Sequence, residues 1–267
     1  MYLTMLQIDS FTDDPFRGNP AAVCILDKMP PDRWLGSVAA EMNLSETAFL
    51  LPQGDDWRLR WFTPTVEVKL CGHATLAAAH ALWELGLLNQ DAQARFHTLS
   101  GILTARREGQ WIEMDFPAQG AQTAEAPPAL TDALGVRPVS VHRAGWTWLV
   151  ELADEDSVRA VSPDFAAMEP PHGSAIVTAP SDDPDCDFVC RFFAPVVGVN
   201  EDPVTGAAHC VLGPFWGRRL SKAAMVSHQV SARGGIVRVT VAGERVKLAG
   251  QAVTVLKGQL LGRSQEG

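Results

Sequence analysis

Phe62-Thr63-Pro64-Thr65-Val66-Glu67-Val68 and Phe193-Ala194-Pro195-Val196-Val197-Gly198-Val199 share one pattern, F-x-P-x-V-x-V. They lie 193 − 62 = 131 positions apart, close to half of the 267-residue chain. In each copy an alternating apolar segment predicts a half-buried strand. A short polar turn with glycine follows, then an alanine-rich run suited to a helix. The first turn and helix read Cys71-Gly72-His73-Ala74-Thr75-Leu76-Ala77-Ala78-Ala79-His80. The second read Glu201-Asp202-Pro203-Val204-Thr205-Gly206-Ala207-Ala208-His209-Cys210. Downstream, Gly101-Ile102-Leu103 matches Gly235-Ile236-Val237, Gly109 matches Gly243, Ile112 matches Val246 and Met114 matches Leu248, each pair at 235 − 101 = 134 positions. These stretches predict β-hairpins turned at the glycine. Two matches in one order at nearly one offset point to an internal duplication.

At the offset of 131 the duplication sets Cys71 against Asp202 and His73 against Val204, and leaves Glu46 without an evident counterpart. The seam falls in residues 117–138, whose Ala-Gln-Gly-Ala-Gln and Glu-Ala-Pro-Pro have linker composition. The expected units are therefore residues 1–117 and 118–267, with the last strand, around 251–262, assignable to either. Helices are expected at residues 31–41 and, briefly, 131–135. Residues 74–82 are apolar nearly all round, so each unit reads as a curved sheet wrapped on one enclosed helix. Two equivalent helix starts suggest one cleft between the copies.

Hydrophobic residues make up 46% of the chain and charged residues 20%, which supports a sizeable core. The net charge of −9 argues against a non-specific nucleic-acid binder and against docking on an anionic membrane. Five scattered cysteines suggest no disulfide framework. No leader pattern or membrane-spanning run is visible, and the expected location is the cytoplasm.

Free N–H groups at a helix start, with the helix dipole, attract anions. Gly72 and Gly206 let a ligand approach that backbone closely. His73 can exchange a proton near neutral pH, and reads equally as a capping or core histidine. Asp202 before a proline reads as a helix cap or a catalytic acid, and one residue can serve both. Glu46, beside Leu44, Ala48 and Phe49, is either a solvent-facing strand residue or a partly desolvated carboxyl with a raised pKa, usable as general acid and base. No dinucleotide fingerprint, Walker loop, zincin motif or nucleophile elbow occurs. His73 and His80, seven apart, lack a third metal ligand, so no metal site is expected.

These residues resemble the phenazine biosynthesis-like (PhzF-like) family, related in fold to diaminopimelate epimerase. The resemblance is carried by Gln7-Ile8-Asp9-Ser10-Phe11-Thr12, Phe16-Arg17-Gly18-Asn19-Pro20, Ser45-Glu46-Thr47, Gly72-His73-Ala74-Thr75, Met114-Asp115-Phe116-Pro117, Asp202-Pro203-Val204-Thr205-Gly206 and Ser231-Ala232-Arg233-Gly234-Gly235. It implies an α+β fold of two pseudo-symmetric domains, each a twisted barrel-like mixed sheet around a central helix. It implies a homodimer, no cofactor, and a proton-shifting isomerase acting on a small carboxylated metabolite. Glu46 would carry the proton, with His73 and Asp202 binding and polarising the substrate. Ser45, Gly72, Ala74, Thr75, Thr205, Gly206 and Ala207 would complete the substrate contacts.

Three departures qualify the resemblance. Ala207 stands where the family often has serine, which favours altered specificity or, alternatively, a metabolite-binding or regulatory protein with little turnover. Lys69 stands where an acidic residue is common. The epimerases use two cysteines, and here only Cys71 has such a place, so Cys71 reads as a packing residue.

Overall fold

A computed structural model of the chain describes residues 2–168 and 173–261. It divides into two compact units, Met1–Asp115 with Ala249–Gly267, and Phe116–Leu248.

The first unit contains β1 (Tyr2–Ser10), β2 (Asn19–Ile25), α1 (Asp32–Met42), β3 (Glu46–Gln53), β4 (Asp56–Phe62), β5 (Glu67–Val68), α2 (Gly72–Glu84), β6 (Ala94–Thr98), β7 (Gly101–Glu108) and the start of β8 (Trp111–Pro117). β2 and β3 are parallel across the α1 crossover, and β4 and β6 are parallel across α2. β1–β2, β3–β4, β6–β7 and β7–β8 are antiparallel, giving a mixed sheet. Gly109 turns the β7–β8 hairpin at φ +62°, where a side chain would be strained. α2 is buried from His73 to Ala79 and at Ala81, Leu82 and Trp83, and packs on β1, β2, β3 and β7. That enclosure is what its all-round apolar sequence requires.

The second unit contains β9 (Gln122–Thr123), α3 (Pro128–Leu134), β10 (Ser140–Ala144), β11 (Thr147–Glu151), α4 (Glu155–Ala160), β12 (Ser174–Pro180), β13 (Phe188–Ala194), a 3₁₀ turn (Pro195–Val197), β14 (Val199–Asp202), α5 (Gly206–Leu220), β15 (Ala224–Gln229), β16 (Gly235–Ala242) and most of β17 (Arg245–Gly250). The same two crossovers recur: β11 and β12 are parallel across α4, and β13 and β15 across α5. Pro214 lies inside α5 and has no N–H for the Cys210 carbonyl, which instead accepts the Gln119 N–H at 3.0 Å.

The structure decides the strand that the sequence left open and lengthens the short helix expected in the seam. The last strand, β18 (Ala252–Leu261), pairs antiparallel with β1 from Tyr2↔Leu261 to Ser10↔Ala252. It belongs to the first unit, so the second ends at Leu248 and not at 267. The physical reason is that β1, already paired to β2, has a second edge whose backbone groups need partners. Residues 262–267 lie outside the described residues. The seam is also less of a linker than its composition suggests. Pro128 at the first turn and Gly135 in the left-handed conformation bound α3, whose Leu130, Ala133 and Leu134 are core residues.

The offset between the copies changes partway along the chain. Phe62 pairs with Glu67 in the first unit, and Phe193 with Glu201 in the second. The second connection is longer by (201 − 193) − (67 − 62) = 3 residues, and the 3₁₀ turn at Pro195–Val197 takes them up. The helix starts then differ by 206 − 72 = 134, the offset of the hairpins. Cys71 is therefore equivalent to Thr205, since both are helix N-caps, and not to Asp202. His73 is equivalent to Ala207 and not to Val204. Glu46 does have a counterpart: Thr47 pairs with Phe62 as Ala175 pairs with Phe193, which sets Glu46 against Ser174.

Candidate active site

In the first unit β3 and α2 bring Glu46, His73 and Cys71 together. Glu46 opens β3 and His73 sits in the first turn of α2. Glu46 Oε2 lies 3.2 Å from His73 Nε2, with side chains 17% and 7% exposed. Cys71 Sγ lies 3.5 Å from the other ring nitrogen, Nδ1. Burial pushes the His73 imidazole down to about 3, so it is neutral at physiological pH and carries a single N–H. The Glu46–His73 contact is then a close approach of a carboxyl to a neutral imidazole, outside hydrogen-bond geometry, and not an ion pair.

The backbone around this group is held from two directions. Ser10 Oγ on β1 donates to the His73 carbonyl at 2.8 Å, and Thr75 Oγ1 donates to the Cys71 carbonyl at 2.5 Å. Thr75 is fully buried and its hydroxyl is committed to the helix backbone; Ala74 is also fully buried. Ser45 is half-buried just before β3, Gly72 begins α2, and Lys69 is exposed in the loop ahead of it. The N-cap side chain makes no capping bond, so the first N–H groups of α2 are not satisfied by it.

Among the described residues, Glu46, Cys71 and His73 are a cluster of possible metal donors, with ligand atoms within 4.8 Å of one another. The thiol lies nearest Nδ1 and the carboxylate nearest Nε2. His80 is elsewhere, 3.2 Å from Glu84 on the same helix.

In the second unit Asp202 ends β14 and Thr205 caps α5. Asp202 is not the helix cap: its Oδ2 accepts the Thr205 hydroxyl at 2.5 Å. Thr205 and Gly206 are buried, and Ala207 is exposed on the first turn. Gln229 on β15, which the sequence reading missed, fastens this turn. Its Oε1 accepts the Thr205 N–H at 2.8 Å and its Nε2 donates to the Asp202 carbonyl at 2.7 Å. Behind it lies fully buried His209, whose Nδ1 donates to the Thr205 carbonyl at 2.8 Å while Nε2 faces Ser227 Oγ at 3.0 Å. Burial holds this imidazole down to about 4, against an opposing effect of the Thr205 carbonyl. The missed signal was Gln229 itself, a polar residue at an inward position of an otherwise alternating strand.

The duplicated helix-in-sheet units and the buried carboxyl–imidazole pair define a fold class of epimerase type. The phenazine biosynthesis-like protein family matches over residues 8–258, and the chain belongs to that family. It is 49% identical to an uncharacterized isomerase of Halalkalibacterium halodurans, over 95% of this chain and 97% of the relative. A crystal structure of a phenazine biosynthesis protein PhzF family member from Enterococcus faecalis superimposes with a TM-score of 0.93 at 37% identity, covering 97% of this chain and 99% of that one. A probable proline racemase from Agrobacterium radiobacter shares the fold at TM-score 0.64 and 13% identity, over 99% of this chain and 94% of the other.

Proposed function

We propose that the protein is a cofactor-independent isomerase that moves a proton along a small carboxylated metabolite, with Glu46 as the acid–base group. The observation that carries this reading is the pair formed by Glu46 Oε2 and the neutral His73 ring, 3.2 Å apart and largely shielded from water. A carboxylate in such a place takes a proton from an activated carbon and returns it one position away. The substrate carbonyl develops negative charge as the proton leaves, and N–H groups at the α2 start are of the kind that stabilise it. A neutral histidine suits this role, because it donates without competing as a strong acid. The family resemblance adds Asp202 and the α5 start at Thr205, Gly206 and Ala207 as substrate-binding groups, and a homodimer as the working form. The relative from Halalkalibacterium halodurans, named an isomerase, supports the reaction class.

The test is proton exchange. Unsaturated and cyclic carboxylates are incubated with the protein in deuterated water and followed by NMR. Wild type incorporates solvent deuterium, and Glu46→Gln slows this by about 10²–10⁴-fold. Equal rates in the two proteins remove Glu46 as the proton carrier. A carboxylate that binds yet comes back without deuterium supports the second reading, a binding protein, which Ala207 favours.

A further inference from the structure

Two side chains lie close to the His73 ring nitrogens, Glu46 Oε2 at 3.2 Å from Nε2 and Cys71 Sγ at 3.5 Å from Nδ1. A neutral imidazole has one donor and one acceptor nitrogen, so its partners choose the tautomer. A carboxylate oxygen 3.2 Å from Nε2 favours the ring proton on that nitrogen and leaves Nδ1 as a buried acceptor. A thiol is a weak donor that can fill that role. We infer that Cys71 is a positioning residue whose S–H donates to Nδ1 and so holds His73 in the Nε2–H tautomer, with that nitrogen beside Glu46. The inference rests on the reading of Glu46 as proton carrier, and says how the ring beside that carboxyl is held.

Three observations support it independently of the family. Cys71 occupies an N-cap position, where an oxygen-bearing side chain ordinarily caps the helix, yet its side chain makes no capping bond. Its backbone and that of His73 are pinned by Thr75 and Ser10, which fixes the sulfur relative to the ring. The equivalent cap, Thr205, bonds Asp202, and no histidine follows at Ala207. The cysteine and the histidine occur together in one copy and are absent together in the other. The thiol is also 6% exposed, an internal donor and not a surface nucleophile.

His209 supplies an internal reference. Its Nδ1 faces a carbonyl that can only accept, so its proton is on Nδ1 and Nε2 accepts from Ser227. The two buried histidines are therefore opposite tautomers in one protein.

The experiment is ¹⁵N–¹H correlation spectroscopy of histidine-labelled full-length protein at neutral pH, with no substrate. His73 is expected as Nε2–H and His209 as Nδ1–H. Cys71→Ala is expected to give mixed His73 tautomers and to lower kcat on the order of tenfold, the loss of one hydrogen bond, with KM little changed. Cys71→Ser, which retains a donor, restores the Nε2–H signature and most of the lost kcat. An Nδ1–H signature for His73 in wild type overturns the inference. So does an unchanged His73 tautomer in Cys71→Ala. The spectra need no turnover, so failure of the isomerase reading leaves this result standing or falling by itself.

Discussion

The two units keep the same frame and differ in what they place on it. Arg60 grips Glu67 through two hydrogen bonds of 2.7 and 2.6 Å, and its guanidinium lies 5.0 Å from the Phe62 ring centre. Arg191 grips Glu201 at 2.7 and 2.9 Å and lies 4.9 Å from the Phe193 ring centre. These are the same pairs after the three-residue shift, and each ties a strand to its short returning strand just ahead of a central helix. One turn into each helix, Thr75 and His209 bond the N-cap carbonyl in the same way. Against that shared frame stand Glu46 facing Ser174 in the alignment, and His73 facing Ala207. The duplication has kept what fixes the helix start and has a buried carboxyl–imidazole pair on one side only.

The largest test of this comparison is acid. Burial holds His73 down to about 3 and His209 down to about 4, against an ordinary value of 6.5. Below pH 6.5 the unfolded chain binds protons that the folded chain refuses. Stability is thus complete above that pH and declines as pH falls toward 4, by about 1.4 kcal/mol per pH unit for each histidine. Between pH 6.5 and 4.5 the two together remove about 5 kcal/mol. Urea titrations across that range measure it, and His209→Asn should halve the slope; an unaltered slope breaks the pairing of one buried imidazole per unit.

A middle-sized test compares the arginines. Arg191→Met strands half-buried Glu201 and also frees the Val161 carbonyl, which accepts from Arg191 at 2.6 Å. It is expected to cost about 4 kcal/mol by chemical denaturation. Arg60→Met lacks that carbonyl loss and should cost about 1 kcal/mol less. The reverse order would mean that the two clamps are not equivalent. The smallest effect is Ala207→Ser. At an exposed position it should change stability by less than about 0.5 kcal/mol. It should change carboxylate affinity by about five- to tenfold, read by calorimetric titration. No change in affinity removes the α5 start from the binding site.

The duplication, the central helices and the hairpin glycines were legible in sequence because periodicity and turn chemistry are local. The register between the copies was not. Pro64 and Pro195 carry the same letters, but the first stands in a tight turn and the second opens a 3₁₀ turn with three residues to spare. The motif match at 131 therefore held up to the strand and failed at the helix, displacing Asp202 from the place of Cys71. Glu46 and His73 were each visible as candidates, but their contact joins a strand to a helix 27 positions on and depends on packing. The role of Cys71 was hidden for a similar reason: without a second cysteine in the other copy it read as packing, and only the ring beside it shows a partner. Gln229 was missed because a polar residue in a strand looks ordinary until its neighbours are known.

The pairing of β18 with β1 has a consequence for how the chain is made. β1 leaves the ribosome well before β18, with the whole second unit between them. The second unit can close as soon as Leu248 has been synthesised, while the first waits for its final strand. Until then the outer edge of β1, with Leu3, Met5, Leu6 and Ile8 destined for burial, is an unpaired apolar strand on a growing chain. Truncations before Ala252 should therefore aggregate during synthesis, whatever the state of the half that carries Asp202.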